Sequence, residues 1–430
     1  MPGHPARFAL TGTAVGAALV LIAGPPPAAV AAPACTAPPA GPVATEVPWA
    51  QQRFGHERLA PLATGAGVIV AVIDSGVDRD HPQLADRVLR GVDRLDAGGD
   101  GGRDCVGHGT AVASIIAAAA HDGTPFRGLA PGAAILPVRI SEQQIVHGEE
   151  SGRTVDGGQF AAAIRWAADH GADVLNLSVV LYRDDPAVRA AVAYAAARDV
   201  VLVAAAGNLH DDGDPLPYPA AYDGVLGVGA IAADGSRAPF SQTGAYVDVV
   251  APGAGVLAAA PERGHRRQDG TSYAAPFVAA TAALIREYRP DLSAAEVAGR
   301  IVATADPAPA GGTDGYGAGV VNPHRAVTET GAVAWEQSSA ALPGAVVDPA
   351  TAGQRERRDR ARDRAVLFAG AGAAAAITAV LLSVVLPRGL RRRWRPAGPP
   401  LLTGHHPGQP AGHPPDRPGH APEPTVRPPD

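Results

Sequence analysis

Two hydrophobic periodicities alternate along most of the chain. Continuous apolar runs rich in β-branched residues are typical of strands that are buried on both faces of a sheet. Such runs predict strands at 68–74, 135–140, 173–180, 200–208, 224–231 and 246–253. Runs with the helical repeat lie between several of them and predict helices at 106–120, 157–171 and 186–199. This alternation predicts an α/β fold in which helices cover both faces of a mainly parallel sheet.

A further helix is predicted in the stretch that begins at Gly270. Phe277 and Leu284 lie seven residues apart on one helical face. Pro276 is expected in the first turn, where its missing N–H costs little. Ser272 would then lie beside unpaired backbone N–H groups and the positive end of the helix dipole. Such a serine is by itself most often a helix cap, but the position also suits a nucleophile whose attack produces an oxyanion.

The two ends of the chain differ from this middle part. Residues 1–32 contain a basic residue, a short apolar run and an Ala-x-Ala site, which together predict a secretory signal peptide. An uncleaved anchor is the alternative. Residues 366–386 are uncharged, apolar and flanked by arginine clusters, which predicts one C-terminal transmembrane helix. A buried core helix is the alternative there. The basic, Pro-rich tail at 387–430 is predicted to be disordered.

The remaining segments are an N-terminal extension at 33–60, a globular domain at 61–325 and a linker at 326–365. Only about fifteen residues separate the predicted signal from Val47, too few for an independently folding pro-domain. We therefore expect the extension to pack along the globular domain. Because a signal peptide exports what precedes the transmembrane helix, we expect a single-pass cell-membrane protein with an extracytoplasmic domain and a cytoplasmic tail.

Composition excludes some classes of function. The chain has 430 residues, of which 46 % are hydrophobic, so it can form a large core. Its net charge of −6 gives no sign of nucleic-acid binding, and two cysteines rule out a disulfide scaffold or a cysteine zinc site. We predict no cofactor and no metal. The tail histidines at 405, 406, 413 and 420 are read as solvated low-complexity sequence, with metal binding as the alternative.

Four polar residues lie at the ends of predicted strands or at the starts of predicted helices, which is where the sites of α/β proteins form. Asp74 and Asn208 end strands, while His108 and Ser272 open helices. Taken singly, each has an ordinary structural explanation as a turn residue, cap or core residue. A serine hydroxyl needs a nearby base to attack an amide, and histidine is the side chain whose pKa suits that role. The order Asp, His, Ser is one of the known orders of a catalytic triad.

Three motifs around these residues resemble those of the subtilisin-like serine proteases. VAVIDSGVDRDHPQL resembles the family's aspartate motif, GHGTAVASIIA its histidine motif and DGTSYAAPFVAATAALI its serine motif. The resemblance implies a subtilisin-like three-layer αβα fold and serine endopeptidase activity. It implies that Ser272 is the nucleophile, that His108 is the general base and that Asp74 orients His108. Asn208 would donate to the oxyanion together with the Ser272 backbone N–H.

The predicted substrate-binding segments contain one departure from the family pattern. The resemblance implies that residues Ser178, Val179 and Val180 pair with the substrate backbone and form one wall of the P1 pocket. Residues 205–207 (Ala205, Ala206 and Gly207) are also predicted to bind substrate. Many relatives have glycine where this chain has Val180, so the pocket is expected to be narrower or shifted. The insertion at 141–158 is expected near the same face, where it either restricts access, binds a partner or is an idle surface loop.

The whole layout is similar to that of the mycosins, membrane-anchored subtilisin-like proteases associated with type VII secretion systems. The shared features are the signal peptide, an entry segment like VPWAQQRF, the protease domain, a linker and one C-terminal spanning helix. The resemblance implies protein or peptide substrates, processing of secreted proteins and support of a secretion complex in the membrane. The alternative is a structural subunit of a secretion machine with minor or no proteolysis.

Cys35 and Cys105 are the two cysteines of the chain, and both lie in the part predicted to be exported. An oxidising compartment permits a disulfide between them. The bond would hold the N-terminal segment near the turn that carries His108. The alternatives are two unrelated thiols or a lipid on Cys35.

Overall fold

The computed structural model describes residues 38–146, 149–309 and 315–331. The predicted signal peptide (1–32), the transmembrane helix (366–386) and the tail (387–430) lie outside the described residues, as do Cys35 and most of the predicted linker. Within the described part, no helix is both long and apolar enough to cross a bilayer.

The regular elements follow the predicted alternation. The strands are β1 (Ile69–Asp74), β2 (Val92–Asp93), β3 (Ala134–Arg139), β4 (Gln144–Val146), β5 (Glu149–Ser151), β6 (Val174–Leu177), β7 (Val201–Ala205), β8 (Val225–Ile231), β9 (Val249–Pro252), β10 (Val256–Ala259) and β11 (His265–Gln268). The helices are α1 (Trp49–Phe54), α2 (His56–Leu59), α3 (His108–Ala117), α4 (Gly157–Asp169), α5 (Pro186–Ala196), α6 (Thr271–Tyr288), α7 (Ala294–Ala303) and α8 (Pro323–Thr328).

A seven-stranded parallel sheet forms the centre of the fold, in the order β2-β3-β1-β6-β7-β8-β9. Alternate residues of β1 enter two different hydrophobic clusters. Val70 and Val72 pack with α3 and α6 on one face, whereas Ala71 and Ile73 pack with α4 and α5 on the other. Both faces are therefore covered, which explains the continuous apolar runs and confirms a three-layer α/β architecture with a mainly parallel sheet.

Helix α6 is buried along almost its whole length, from Thr271 to Ile285. The structure corrects one prediction about it. Pro276 is the sixth residue of the helix rather than part of its first turn, because the helix begins at Thr271. Proline has no N–H to bond the carbonyl four residues earlier, and that carbonyl belongs to Ser272. The Ser272 carbonyl is therefore left without a donor from the helix.

Among the parts of the fold that were not predicted as regular elements are two N-terminal helices and one hairpin. Helices α1 and α2 lie in the segment assigned to the N-terminal extension, and Phe54 of α1 packs in the main core with its ring centroid 5.3 Å from that of Phe277. Strands β10 and β11 form an antiparallel hairpin outside the main sheet. The segment before α1 lies against this hairpin, since Gly41 N–H donates to the Arg263 carbonyl and His265 N–H donates to the Pro42 carbonyl.

Candidate active site

The four predicted catalytic residues lie at the ends of two strands of the sheet and at the starts of two helices. Asp74 is the last residue of β1, and Asn208 lies three residues beyond the end of β7. His108 is the first residue of α3, and Ser272 is the second residue of α6. Parallel strands end at one edge of the sheet, which is where open α/β proteins form their sites.

Asp74 and His108 are directly hydrogen-bonded. The distance between His108 Nδ1 and Asp74 Oδ1 is 2.7 Å, and Asp74 is only 2 % exposed. Asp74 Oδ1 also accepts the Ser75 backbone N–H at 2.6 Å, which holds the carboxylate in place. With Nδ1–H donated to the carboxylate, Nε2 is left as the basic nitrogen of the neutral ring. The pair therefore has the geometry of a general base and the group that orients it.

The charge around His108 favours its protonated form. Burial alone lowers the pKa of a histidine, but the Asp74 carboxylate and, more weakly, the Asp104 carboxylate outweigh it. The pKa of His108 is therefore raised above its usual 6.5. A base with a raised pKa accepts a proton more readily in the reaction, and it is neutral only at correspondingly higher pH.

Asp104 organises the loop that leads into α3, and sequence reasoning missed it. Its buried carboxylate accepts five hydrogen bonds, from Ser75 Oγ, the N–H groups of Val106, Gly107 and Thr110, and Thr110 Oγ1. Burial raises the pKa of Asp104, and these donors oppose that effect. The sequence feature that could have identified Asp104 is its position four residues before His108, in a short polar loop.

Gly109 explains how the loop comes so close to β1. A Cβ atom at this position would lie 2.1 Å from the Gly76 carbonyl oxygen. The Gly109 N–H instead donates to Ser75 Oγ at 2.9 Å, which links α3 to the turn after Asp74. A side chain at position 109 would push the base away from the carboxylate that orients it.

Ser272 is held by a reciprocal pair of bonds with Ser178. Ser272 Oγ donates to the Ser178 carbonyl at 3.3 Å, and Ser178 Oγ donates to the Ser272 carbonyl at 3.0 Å. The Ser272 carbonyl is available because Pro276 supplies no helical N–H. Asn176 Nδ2 in turn donates to Ser178 Oγ at 2.8 Å. The buried Ser178 hydroxyl thus positions the nucleophile. The contact between the Ser178 backbone and a substrate stays a prediction.

Asn208 is oriented by the residue before Ser272. Its Oδ1 accepts the Thr271 N–H at 2.8 Å and the Thr271 Oγ1–H at 2.9 Å. Because the carbonyl end of the amide takes both donors, the Nδ2 end is the one directed away from Thr271. Asn208 is exposed, so Nδ2 is accessible to a ligand. The Ser272 N–H belongs to the first turn of α6, where the helix offers no carbonyl partner. Both groups can therefore donate to an oxyanion.

The other predicted substrate-binding residues follow β6 and β7. Val179 and Val180 are half-buried, and the next residue, Leu181, pairs in both directions with Tyr218 at 2.7 Å. Ala205 and Ala206 are buried. Gly207 has a φ of +92°, and a Cβ there would lie 2.0 Å from Gln242 Oε1. These residues surround the site, and their contacts with a substrate stay predictions.

Cys105 belongs to the loop between Asp104 and His108, and Arg139 donates to its Sγ at 3.4 Å. Cys35 is outside the described residues, so the Cys35–Cys105 pairing stays a prediction. Among the described residues, no group of three or more His, Cys, Asp or Glu side chains is placed to hold a metal ion.

Comparison with known proteins defines the class. The model of the subtilase family, Peptidase_S8, matches residues 65–319. The chain therefore belongs to the subtilase family, and it is a serine-type endopeptidase.

Particular relatives narrow the similarity. The chain is 36 % identical to Mycosin-4 of Mycobacterium tuberculosis over 376 residues, which cover 78 % of this chain and 80 % of that protein. It is 36 % identical to Subtilisin DY of Bacillus licheniformis over 260 residues, covering 60 % of this chain and 90 % of that one.

Among solved structures, MycP1 from the ESX-1 type VII secretion system aligns with a TM-score of 0.59 at 32 % identity, covering 70 % of this chain and 90 % of that one. The MycP3 protease from the type VII (ESX-3) secretion system aligns with a TM-score of 0.58 at 32 % identity, covering 69 % and 91 %. The chain is thus similar to mycosins over most of its length, as the sequence predicted.

Proposed function

We propose that the protein is a membrane-anchored, extracytoplasmic serine endopeptidase that processes substrates of a type VII secretion system and supports the secretion complex. The hydrogen bond of 2.7 Å between His108 and Asp74 is the observation that carries the catalytic part of the proposal. The secretion part rests on the similarity to Mycosin-4, MycP1 and MycP3.

In the proposed reaction, Ser272 Oγ attacks the carbonyl carbon of the scissile peptide bond. His108 Nε2 accepts the hydroxyl proton, and Asp74 stabilises the imidazolium that results. The carbonyl oxygen becomes an oxyanion, to which Asn208 Nδ2 and the Ser272 N–H donate. His108 then gives its proton to the leaving amine, and the acyl-enzyme remains. Water, activated by the same histidine, releases the acyl product.

Membrane anchoring is proposed from the sequence of the two ends. The signal peptide at 1–32 would export the protease domain, and residues 366–386 would stop transfer and span the bilayer. A tag attached after Asp430 should then survive protease added to intact cells. Digestion of that tag in intact cells would contradict the topology.

Complementation of a deletion strain separates the protease from the alternative, a structural subunit. Ser272→Ala keeps the shape of the site but has no nucleophile. If processing is the function, this variant restores neither hydrolysis nor processing of the secreted substrate. Full restoration of secretion without hydrolysis would show that the structural role is sufficient for secretion, and a secreted substrate still processed in this variant would contradict the processing proposal.

A further inference from the structure

A cavity of about 570 Å³ opens beside His108, and none of the predicted substrate-binding residues lines it. Its lining residues include Pro38, His108, Arg266, Arg267, Gln268 and Tyr273. Residues 178–180 and 205–207 are not among them. In the proposed mechanism His108 gives its proton to the leaving amine, so the leaving part of a substrate must pass next to His108. The cavity therefore lies where that part of the peptide would be bound.

The charge of this cavity is positive, although the whole chain carries a net charge of −6. Two arginines line the cavity, and none of the lining residues in the described part of the chain is acidic. Three acidic residues are adjacent to the lining in sequence. Glu142 is paired with Arg139 and Arg153, and Asp269 accepts the Gly255 N–H at 2.7 Å. Glu262 is exposed in the turn of the hairpin and does not line the cavity. A carboxylate entering the cavity would meet two cations, and none of the described residues that line it is an anion.

Arg266 is the better placed of the two arginines. It alternates with Arg267 along β11, so Arg266 and Gln268 share one face of the hairpin. Arg266 Nη2 donates to the Pro39 carbonyl, beside Pro38 at the rim of the cavity. This bond uses one of the five guanidinium donors and limits the range of positions of the side chain. Arg267 is exposed and donates to the Gly255 carbonyl at 3.2 Å.

We propose that this cavity binds an acidic side chain on the leaving side of the scissile bond, with Arg266 as its main partner and Arg267 as an additional positive charge. The substrate class is thus a peptide with Asp or Glu shortly after the cleaved bond. The inference rests on the proposed proteolysis and adds the preference of one subsite to it.

The test begins with a peptide library digested by the purified wild-type protein, with cleavage sites read by mass spectrometry. Asp and Glu should be enriched within about three residues after the cut, the reach of a cavity next to the leaving amine. Two quenched fluorescent peptides are then made that differ only in Glu or Gln at the enriched position. The ratio of their kcat/KM values is the readout.

Arg266→Gln should lower the Glu/Gln ratio by about three- to tenfold, because a partly exposed charge pair contributes modestly. Arg266→Lys should keep most of the ratio, since it keeps the charge. Arg263→Gln is the matched control, because Arg263 lies in the turn of the same hairpin but does not line the cavity. It should leave the ratio unchanged.

A wild-type ratio near one, or a ratio unaffected by Arg266→Gln, would overturn the subsite while leaving the protease intact. Absence of any Ser272-dependent hydrolysis would overturn the proposed function together with the subsite. Two results would support charge as the cause of the preference: a wild-type Glu/Gln ratio that falls as salt is added, and a ratio in Arg266→Lys that stays close to that of the wild type.

Discussion

The two sides of the candidate site hold their reactive groups by different physical means. The base side consists of Asp74, Ser75, Asp104 and His108, and two buried carboxylates organise it. The nucleophile side consists of Asn176, Ser178, Asn208, Thr271 and Ser272, and only neutral amides, hydroxyls and carbonyls organise it. Charge on one side raises the affinity of the base for a proton. On the other side, hydrogen bonds without charge set geometry. Changes on the base side should therefore alter the pH dependence of the reaction as well as its rate, while changes on the nucleophile side should alter its rate alone.

The largest effect is expected from Asp74→Asn on the base side. An amide keeps the size of the carboxylate but cannot stabilise the imidazolium and favours the wrong tautomer of His108. We expect kcat to fall by about 10⁴-fold. The measurement is kcat on a cleavable peptide, with Asp78→Asn as the control, because the Asp78 carboxylate accepts the N–H groups of Asp80 and Glu262 instead. A loss in Asp74→Asn no larger than in the control would contradict the assigned role.

On the nucleophile side, Asn208→Ala removes the proposed oxyanion donor. We expect a loss of about 10²–10³ in kcat with little change in KM, because the bond strengthens only in the transition state. Thr271→Val keeps the Thr271 N–H but removes one of the two donors that orient Asn208, and about a tenfold loss is expected. Equal losses in both variants would show that orientation, rather than donation, accounts for the effect.

Asp104→Asn tests the difference between the two sides most specifically. The general base must be neutral, so kcat/KM rises as the pH passes the pKa of His108. The negative charge of Asp104 contributes to raising that pKa. Removing the charge should therefore move the acid limb of the pH profile to lower pH.

Ser178→Ala is the counterpart on the nucleophile side. It should lower kcat and leave the acid limb in place, because no charge is removed. An acid limb that moves in Ser178→Ala, or stays in place in Asp104→Asn, would contradict the distinction.

Loss of the predicted Cys35–Cys105 disulfide should have the smallest effect on turnover. The bond would close a loop of about 70 residues and stabilise the fold by roughly 2–4 kcal/mol, so its loss should lower stability with little change in kcat. Mass spectrometry after alkylation without reductant is the measurement. Two alkylated cysteines would exclude the bond.

The sequence was informative where structure follows from local pattern. The strands of the parallel sheet are buried on both faces, so their β-branched runs were visible, and Asp74 could be placed at the end of one of them. The boundaries were less well predicted. The run at 173–180, for example, is regular only from Val174 to Leu177.

The parts that were missed depend on contacts between distant segments. Strand β11 reads His-Arg-Arg-Gln and has no strand pattern of its own, because it is stabilised by β10 and by residues 41–44. Asp104 looked like an ordinary loop residue, since its donors are gathered only when the loop closes on Ser75. Pro276 was placed too early in its helix, and its effect on the Ser272 carbonyl requires Ser178, which is 94 positions away.

The most direct test of the whole site is the pH dependence of Ser272 labelling by a serine-reactive fluorophosphonate, which requires no knowledge of the substrate. The labelled peptide is identified by mass spectrometry, and the labelling rate is measured across the neutral range. The account predicts a label on Ser272 alone, at a rate that rises through a single transition above pH 6.5, the usual histidine pKa. Asp104→Asn should move this transition to lower pH. A label on another residue, or a rate at Ser272 that does not change with pH, would contradict the account.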